Sequence, residues 1–319
     1  MRAPRVRRVS RWHPSALDEL SGRSVLVTGA NSGLGLAASA ALVRAGARVL
    51  MAVRDPERGR AAIDTLPGGP GTAELVTLDL ADLTSVRFAA ADVRERTGDR
   101  LDALLNNAGV AMGPLLHTTD GFELQIGTNH LGPAALTWQL MPALRGAGAP
   151  DRPSRVVTTS SLGHRSAALD VDDLGWEHRR YRPTAAYGAS KLANLLFAAE
   201  LDRRLRLSGD PVVSVAAHPG MTESQLLGNG LQRGGSLAAQ LSRPLDRLLT
   251  QPVEDGVAPQ LAALASPVHG GDYLGPTGVG EIHGPPGPAR RSKPAQDPDL
   301  AARLWRVTAH VTGVRPDPE

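Results

Sequence analysis

Residues Ser24-Val25-Leu26-Val27-Thr28-Gly29-Ala30-Asn31-Ser32-Gly33-Leu34-Gly35 run a short β-branched apolar segment straight into a glycine-rich turn, and an alanine-rich helical pattern follows. Glycine lets a backbone turn sharply, and a helix N-terminus offers free N–H groups and the positive end of a dipole. The turn is therefore suited to an anionic group such as a pyrophosphate. Its spacing is GxxxGxG, neither the GxGxxG of the commoner dinucleotide turn nor the GxxxxGK[ST] of a P-loop.

Working outward, apolar runs alternate with longer Ala- and Leu-rich stretches, the pattern of βαβ units. Strands are expected at Ser24–Thr28, Arg48–Ala52, Glu74–Leu78, Ala103–Asn106, Arg155–Thr159 and Val212–Ala217, with a short seventh near Tyr273. Helices are expected at Leu34–Ala45, Pro56–Thr65, Ser85–Arg96, Phe122–Leu144 and Ala185–Leu207. The fold class is α/β, a single Rossmann-type doubly wound parallel sheet of seven strands with helices on both faces. Residues 22–319 form one domain. Residues 1–21 are expected to be a flexible basic extension, His164–Pro183 an inserted surface loop, 220–250 a lid, and 275–298 a Gly/Pro-rich structural wrap.

The net charge of +3 comes from the first eleven residues, which hold Arg2, Arg5, Arg7, Arg8 and Arg11 and no acid. Subtracting those five charges leaves −2, so the body of the chain is near neutral and no nucleic-acid partner is expected. With no cysteine, disulfide scaffolds, thiolate metal sites and cysteine nucleophiles are excluded. The nine histidines form no HExxH or other tight ligand spacing, so no metal is expected. A serine-hydrolase elbow, GxSxG, does not occur. No apolar run is long enough for a signal region or a membrane span, and a cytoplasmic protein is the expectation.

Where many dinucleotide sites carry an acid for the adenosine ribose, the second strand ends Ala52-Val53-Arg54-Asp55. An arginine there can pair with a 2′-phosphate, so NADP(H) is favoured over NAD(H). Tyr187 and Lys191, four residues apart, share one helix face. A tyrosine with an ordinary pKa of about 10 needs roughly 4 kcal/mol to ionise half-way at pH 7. A positive charge about 4 Å away supplies that order of energy at an effective dielectric near 20.

With these motifs in order, the chain from about Gly22 to Val311 resembles the classical short-chain dehydrogenase/reductases, and most closely their retinol-dehydrogenase-like and protochlorophyllide-reductase-like branch. The turn Gly29, Asn31, Ser32, Gly33, Leu34, Gly35 is similar to the family's TGxxxGxG. Asp79-Leu80 resembles its adenine-contacting position, and Asn106-Asn107-Ala108-Gly109 its NNAG. Asn129, Ser161, Tyr187 and Lys191 occupy the places of its catalytic residues, with adjacent Ser160 the rival for Ser161 at a one-residue shift, and Pro219-Gly220 with Ser224 that of its nicotinamide-facing turn. The acidic, tryptophan-containing insert Asp172-Asp173-Leu174-Gly175-Trp176-Glu177 fits the branch.

The resemblance implies that Tyr187 exchanges the proton with the substrate oxygen, with Lys191 lowering its pKa and binding the nicotinamide ribose. Ser161 would hold the substrate oxygen and Asn129 a water leading to Lys191, while Gly29 to Gly35, Arg54, Asp79, Leu80, Asn106, Ala108, Gly109, Pro219, Gly220 and Ser224 would hold the coenzyme. The expected activity is NADP(H)-dependent carbonyl–alcohol interconversion on a small apolar substrate. The alternative is a catalytically silent NADP(H)-binding sensor or regulatory protein; a sugar-nucleotide epimerase does not fit the glycine spacing. The paired long helices are the family's usual assembly faces, which makes a dimer or tetramer the expected form of any oligomer.

Overall fold

The computed structural model describes residues 12–221 and 252–319. The Arg-rich segment 1–11, most of the expected lid and Ser224 lie outside the described residues.

Five segments are buried along nearly their whole length: Ser24–Thr28 (β1), Arg48–Val53 (β2), Ala103–Asn106 (β4), Ser154–Thr159 (β5) and Val212–Ala217 (β6). Burial on both faces is what parallel strands under helical layers require. Thr72–Thr77 (β3) is only partly buried and forms one edge. Tyr273–Pro276 (β7) and Pro286–Pro288 (β8) complete the sheet in the order β3-β2-β1-β4-β5-β6-β7-β8. All pairings through β7 are parallel, and β7–β8 is antiparallel.

Side chains alternate between two cores, as the two-residue strand period demands. Leu26, Leu50, Leu104 and Val156 face Leu83–Thr97 (α3), Gly132–Ala147 (α5) and Pro183–Ser208 (α6). Val25, Met51, Leu105 and Val157 pack on the other face, against Gly33–Arg44 (α1), Pro56–Asp64 (α2) and a helix at Ala258–Ala265. The last helix, Pro298–Thr312, packs on α6: its buried Trp305 stacks on Phe197 at 5.5 Å and meets Trp138 edge-on at 4.9 Å.

Three expectations are corrected. The sheet has eight strands rather than seven, because part of the Gly/Pro-rich wrap pairs with β7 as β8. Register pairs Leu274 with Pro288, Gly275 with Gly287 and Pro276 with Pro286. The expected extension is ordered from Pro14 to Leu20, a 3₁₀-helix whose Leu17 and Leu20 recur at the three-residue period and are buried. The helix expected over Phe122–Leu144 is Leu124–Ile126 (α4), then a π-helical turn at Gly127–Leu131, then α5.

Candidate active site

The chain leaves β1 for β2 on one side, while β4 lies on the other, so the loops after β1 and β4 part at the carboxyl edge of the sheet. Open α/β sheets bind ligands at such a switch point. A cleft of about 460 Å³ lies there, lined by Gly29, Asn31, Ser32, Gly33 and Leu34 after β1, Arg54 after β2, Asp79 and Leu80 after β3, and Ala108 and Gly109 after β4, with Tyr187 and Lys191 of α6. These residues, assigned above from separate motifs, meet in one place.

The turn after β1 needs its glycines for two different reasons. Gly29 and Gly33 have φ of +66° and +51°, a region side chains disfavour. Gly35 instead meets backbone: a Cβ there would sit 2.2 Å from the Gly29 carbonyl oxygen and 2.7 Å from Asn107 Nδ2. Thr28 ties this turn to the loop after β4, its hydroxyl accepting the Asn107 and Ala108 N–H groups at 3.0 Å each, while Asn107 Nδ2 donates to Thr28 O at 2.9 Å.

Asn106, assigned above to the coenzyme, is turned away from the cleft. It lies two residues after Leu104 on β4, so it shares that residue's face and donates through Nδ2 to Thr137 Oγ1 of α5 at 3.0 Å. Asn107 takes the cleft position instead. Strand parity, readable in the sequence, was the signal for this choice. Also missed were Arg58, Thr159 and Gln260. Arg58 lines the cleft one helical turn beyond Arg54. Gln260 Nε2, wholly buried, donates to both Asn107 Oδ1 at 3.1 Å and Thr159 Oγ1 at 2.8 Å. A glutamine so far along the chain gave no local signal.

At the other end of the cleft, the Tyr187 ring and the Ser161 hydroxyl stand together around Gly163, where a Cβ would lie 3.4 Å from the ring and 3.7 Å from Ser161 Oγ. Neighbouring Ser160 lines the cleft, and its hydroxyl donates to the Lys191 carbonyl at 2.8 Å. Lys191 Nζ lies 5.8 Å from the Tyr187 ring centre and donates to Thr159 O at 3.3 Å. Asn129 sits within the π-helical turn, where an extra residue per turn re-aims the side chain. It is doubly paired with Val110, accepting its N–H at 2.8 Å and donating to its C=O at 2.9 Å, and also donates to Ser190 Oγ at 2.9 Å. A Cβ on Gly109 would lie 3.0 Å from Asn129 Oδ1 and 3.3 Å from Lys191 Nζ, so glycine keeps the two polar groups close.

The electrostatics differ from the expectation that Lys191 lowers Tyr187. Burial pushes the Tyr187 phenol up, only partly opposed by the neighbouring Ser161 hydroxyl. Burial likewise lowers the Lys191 ammonium to about 8. Both charged forms lose water in this corner, and burial is the largest influence on each. Pro219-Gly220 follows β6 beside Ser160, whose N–H donates to Ala217 O at 2.8 Å, and Gly220 takes φ of +70°.

Among the described residues no helix is long and apolar enough to cross a membrane, and no group of three or more His, Cys, Asp or Glu could hold a metal ion. The family model for short chain dehydrogenases matches residues 23–233. Polyprenol dehydrogenase of Mus musculus is 38% identical over 95% of this chain and 87% of its own, and retinol dehydrogenase 13 of Homo sapiens is 37% identical over 92% and 86%. Among solved structures, a protein of Mycobacterium paratuberculosis aligns with TM-score 0.76 and 38% identity, over 96% of this chain and 99% of that one. The Pseudomonas aeruginosa RhlG/NADP active-site complex aligns with TM-score 0.64 and 26% identity, over 82% and 96%. The chain belongs to the short-chain dehydrogenase family of oxidoreductases.

Proposed function

We propose that this short-chain dehydrogenase interconverts a carbonyl and an alcohol using NADP(H), with Tyr187 as the acid and base at the substrate oxygen. The observation that carries the reading is that Tyr187 and Lys191 line the same cleft as the glycine turn and Arg54, with Ser161 beside Tyr187 and Asn129 beside Lys191 just behind its wall. A dinucleotide fits this cleft: the helix start of α1 presents free N–H groups, and Gly35 leaves the turn without a side chain to fill it.

When bound, the nicotinamide supplies or takes the hydride. The chain's residues do the rest. Gly29, Asn31, Ser32, Gly33 and Leu34 hold the diphosphate; Asp79, Leu80, Ala108 and Gly109 line the adenine and ribose side; Arg54, helped by Arg58, holds the 2′-phosphate. Lys191, with a pKa of about 8, is mostly charged at neutral pH and holds the nicotinamide ribose. Ser161 orients the substrate oxygen beside the Tyr187 hydroxyl, and Asn129 anchors water leading to Lys191. The protonated phenol of Tyr187 donates to the carbonyl oxygen in reduction and takes the proton back in oxidation. The similarity to polyprenol dehydrogenase and retinol dehydrogenase 13, together with the cleft wall at Val110 and Ala111, favours an apolar alcohol or its carbonyl.

The test is Tyr187→Phe, followed by NADPH oxidation across aldehydes, ketones and quinones. Turnover is expected to fall by about 100-fold or more while NADPH affinity stays within about twofold. Unchanged turnover removes Tyr187 from the chemistry. Tight NADPH binding by the natural chain with no turnover on any carbonyl would instead identify a sensor.

A further inference from the structure

Behind Ser161 lies a buried polar cluster that the mechanism above does not use. His218, wholly buried, closes β6, and its Nδ1 accepts the Gly220 N–H at 3.2 Å. With Nδ1 accepting, the imidazole proton sits on Nε2, which faces Glu281 Oε2 at 3.2 Å. The same carboxylate oxygen pairs with Arg165 Nη2 at 2.5 Å, and the other oxygen accepts the Arg290 N–H at 3.1 Å. Arg165 stands four residues after Ser161, in the 3₁₀-turn Leu162–Ser166 that Ser161 caps, and also donates to Gly280 O at 3.1 Å.

The cluster is specifically accommodated. A Cβ on Gly275 would lie 1.9 Å from His218 Nε2, so only glycine leaves room for the ring. Glu281 holds a φ of +61°, unfavourable for a side-chain-bearing residue, in order to point its carboxylate inward. The backbone follows the same path: Met221 N–H donates to Ile282 O at 2.9 Å, and a Cβ on Gly220 would lie 2.2 Å from that oxygen. Tyr273 packs beside both His218 and His164, at 5.3 and 5.7 Å between ring centres.

We infer that Glu281, with His218 and Arg165 as its partners, positions the Pro219–Gly220 turn at the end of β6 and so sets the nicotinamide end of the coenzyme site. The three side chains are positioning residues; each acts through backbone that it ties down. Glu281 is the common point, joining the end of β6, the turn after Ser161 and the segment leading into β8.

The inference rests on the NADP(H) reading, and the experiment separates the two. The full chain and its Glu281→Gln variant are titrated with NADPH and with adenosine 2′,5′-bisphosphate, which has no nicotinamide. Loss of hydrogen bonds to a charged group is expected to weaken NADPH binding by about tenfold. Bisphosphate binding should stay within about twofold. Arg165→Gln, which removes one half-exposed partner and keeps His218 bonded to Glu281, should show the same split more weakly. Unchanged NADPH affinity in both variants overturns the inference, as does an equal loss for both ligands, which is what general loosening gives. A natural chain that binds the bisphosphate but not NADPH overturns it too; one that binds neither overturns the coenzyme reading on which it rests.

Discussion

Replacing Arg54 by alanine tests the coenzyme assignment at one side chain. Arg54 is exposed at the end of β2, and among the described residues it has no ion-pair partner within 4 Å. Asp55, the nearest acid in sequence, is engaged elsewhere: it caps α2 by accepting the Glu57 and Arg58 N–H groups at 3.0 and 3.2 Å and lies 3.8 Å from Arg58 Nε. The guanidinium is therefore free for an incoming phosphate. A charge-assisted hydrogen bond contributes about 1.5–3 kcal/mol, and exposure to solvent places this one at the lower end. Since about 1.4 kcal/mol is tenfold, Arg54→Ala should weaken NADPH about tenfold. Arg58, whose side chain is 77% exposed, should contribute at most about 1 kcal/mol, or roughly fivefold. NADH, lacking the 2′-phosphate, should bind the natural chain and the Arg54→Ala and Arg58→Ala variants alike. Fluorescence titration of each coenzyme at low and at physiological salt reads all of this, and the NADPH losses should shrink as salt rises. Equal losses for NADPH and NADH would refute the assignment of this pocket to a 2′-phosphate.

Two further outcomes follow from geometry already described. Lys191 has its pKa lowered to about 8 against about 10.4 in an unfolded chain, so between these values the unfolded state binds more protons and stability rises with pH. Lys191→Met should flatten that rise, raise the melting temperature at pH 7 by several degrees and abolish most turnover; a lower melting temperature would contradict burial as the cause of the shift. Gly35→Ala should reduce affinity for NADPH and NADH together by at least about tenfold and destabilise the fold by about 1–3 kcal/mol, since the added methyl meets the Gly29 carbonyl rather than a movable side chain. Calorimetry with both coenzymes checks it, and a selective effect on one coenzyme would be inconsistent.

Local patterning carried the strand order, because buried parallel strands are continuous apolar runs punctuated by glycine turns: β1, β4 and β6 have the bounds expected of them. The cleft was legible where residues belong to those turns, as at Gly29 to Leu34. It was less legible where tertiary contacts decide. Pro286-Gly287-Pro288 has poor strand propensity and pairs only because β7 offers it an edge. The π-turn at Gly127–Leu131 needs no particular residue type, so an apolar helical pattern conceals it. Asn106 and Asn107 differ only in the face of β4 they take, and the aim of the Ser160 hydroxyl depends on a carbonyl 31 positions away. The Tyr187 shift depends on how deeply its corner is buried, which spacing along a helix does not encode.

The proline pair in β8 also shapes the outer edge of the sheet. Gly275 and Gly287 face each other across the β7–β8 pair, flanked by bonds from Ala289 N to Tyr273 O and from Thr277 N to Pro285 O. By alternation, positions 286 and 288 turn their backbone nitrogens outward, and both are prolines without an N–H. That rim offers an incoming strand no N–H donor from these two positions, so extension of the sheet by edge-to-edge pairing is disfavoured on this flank.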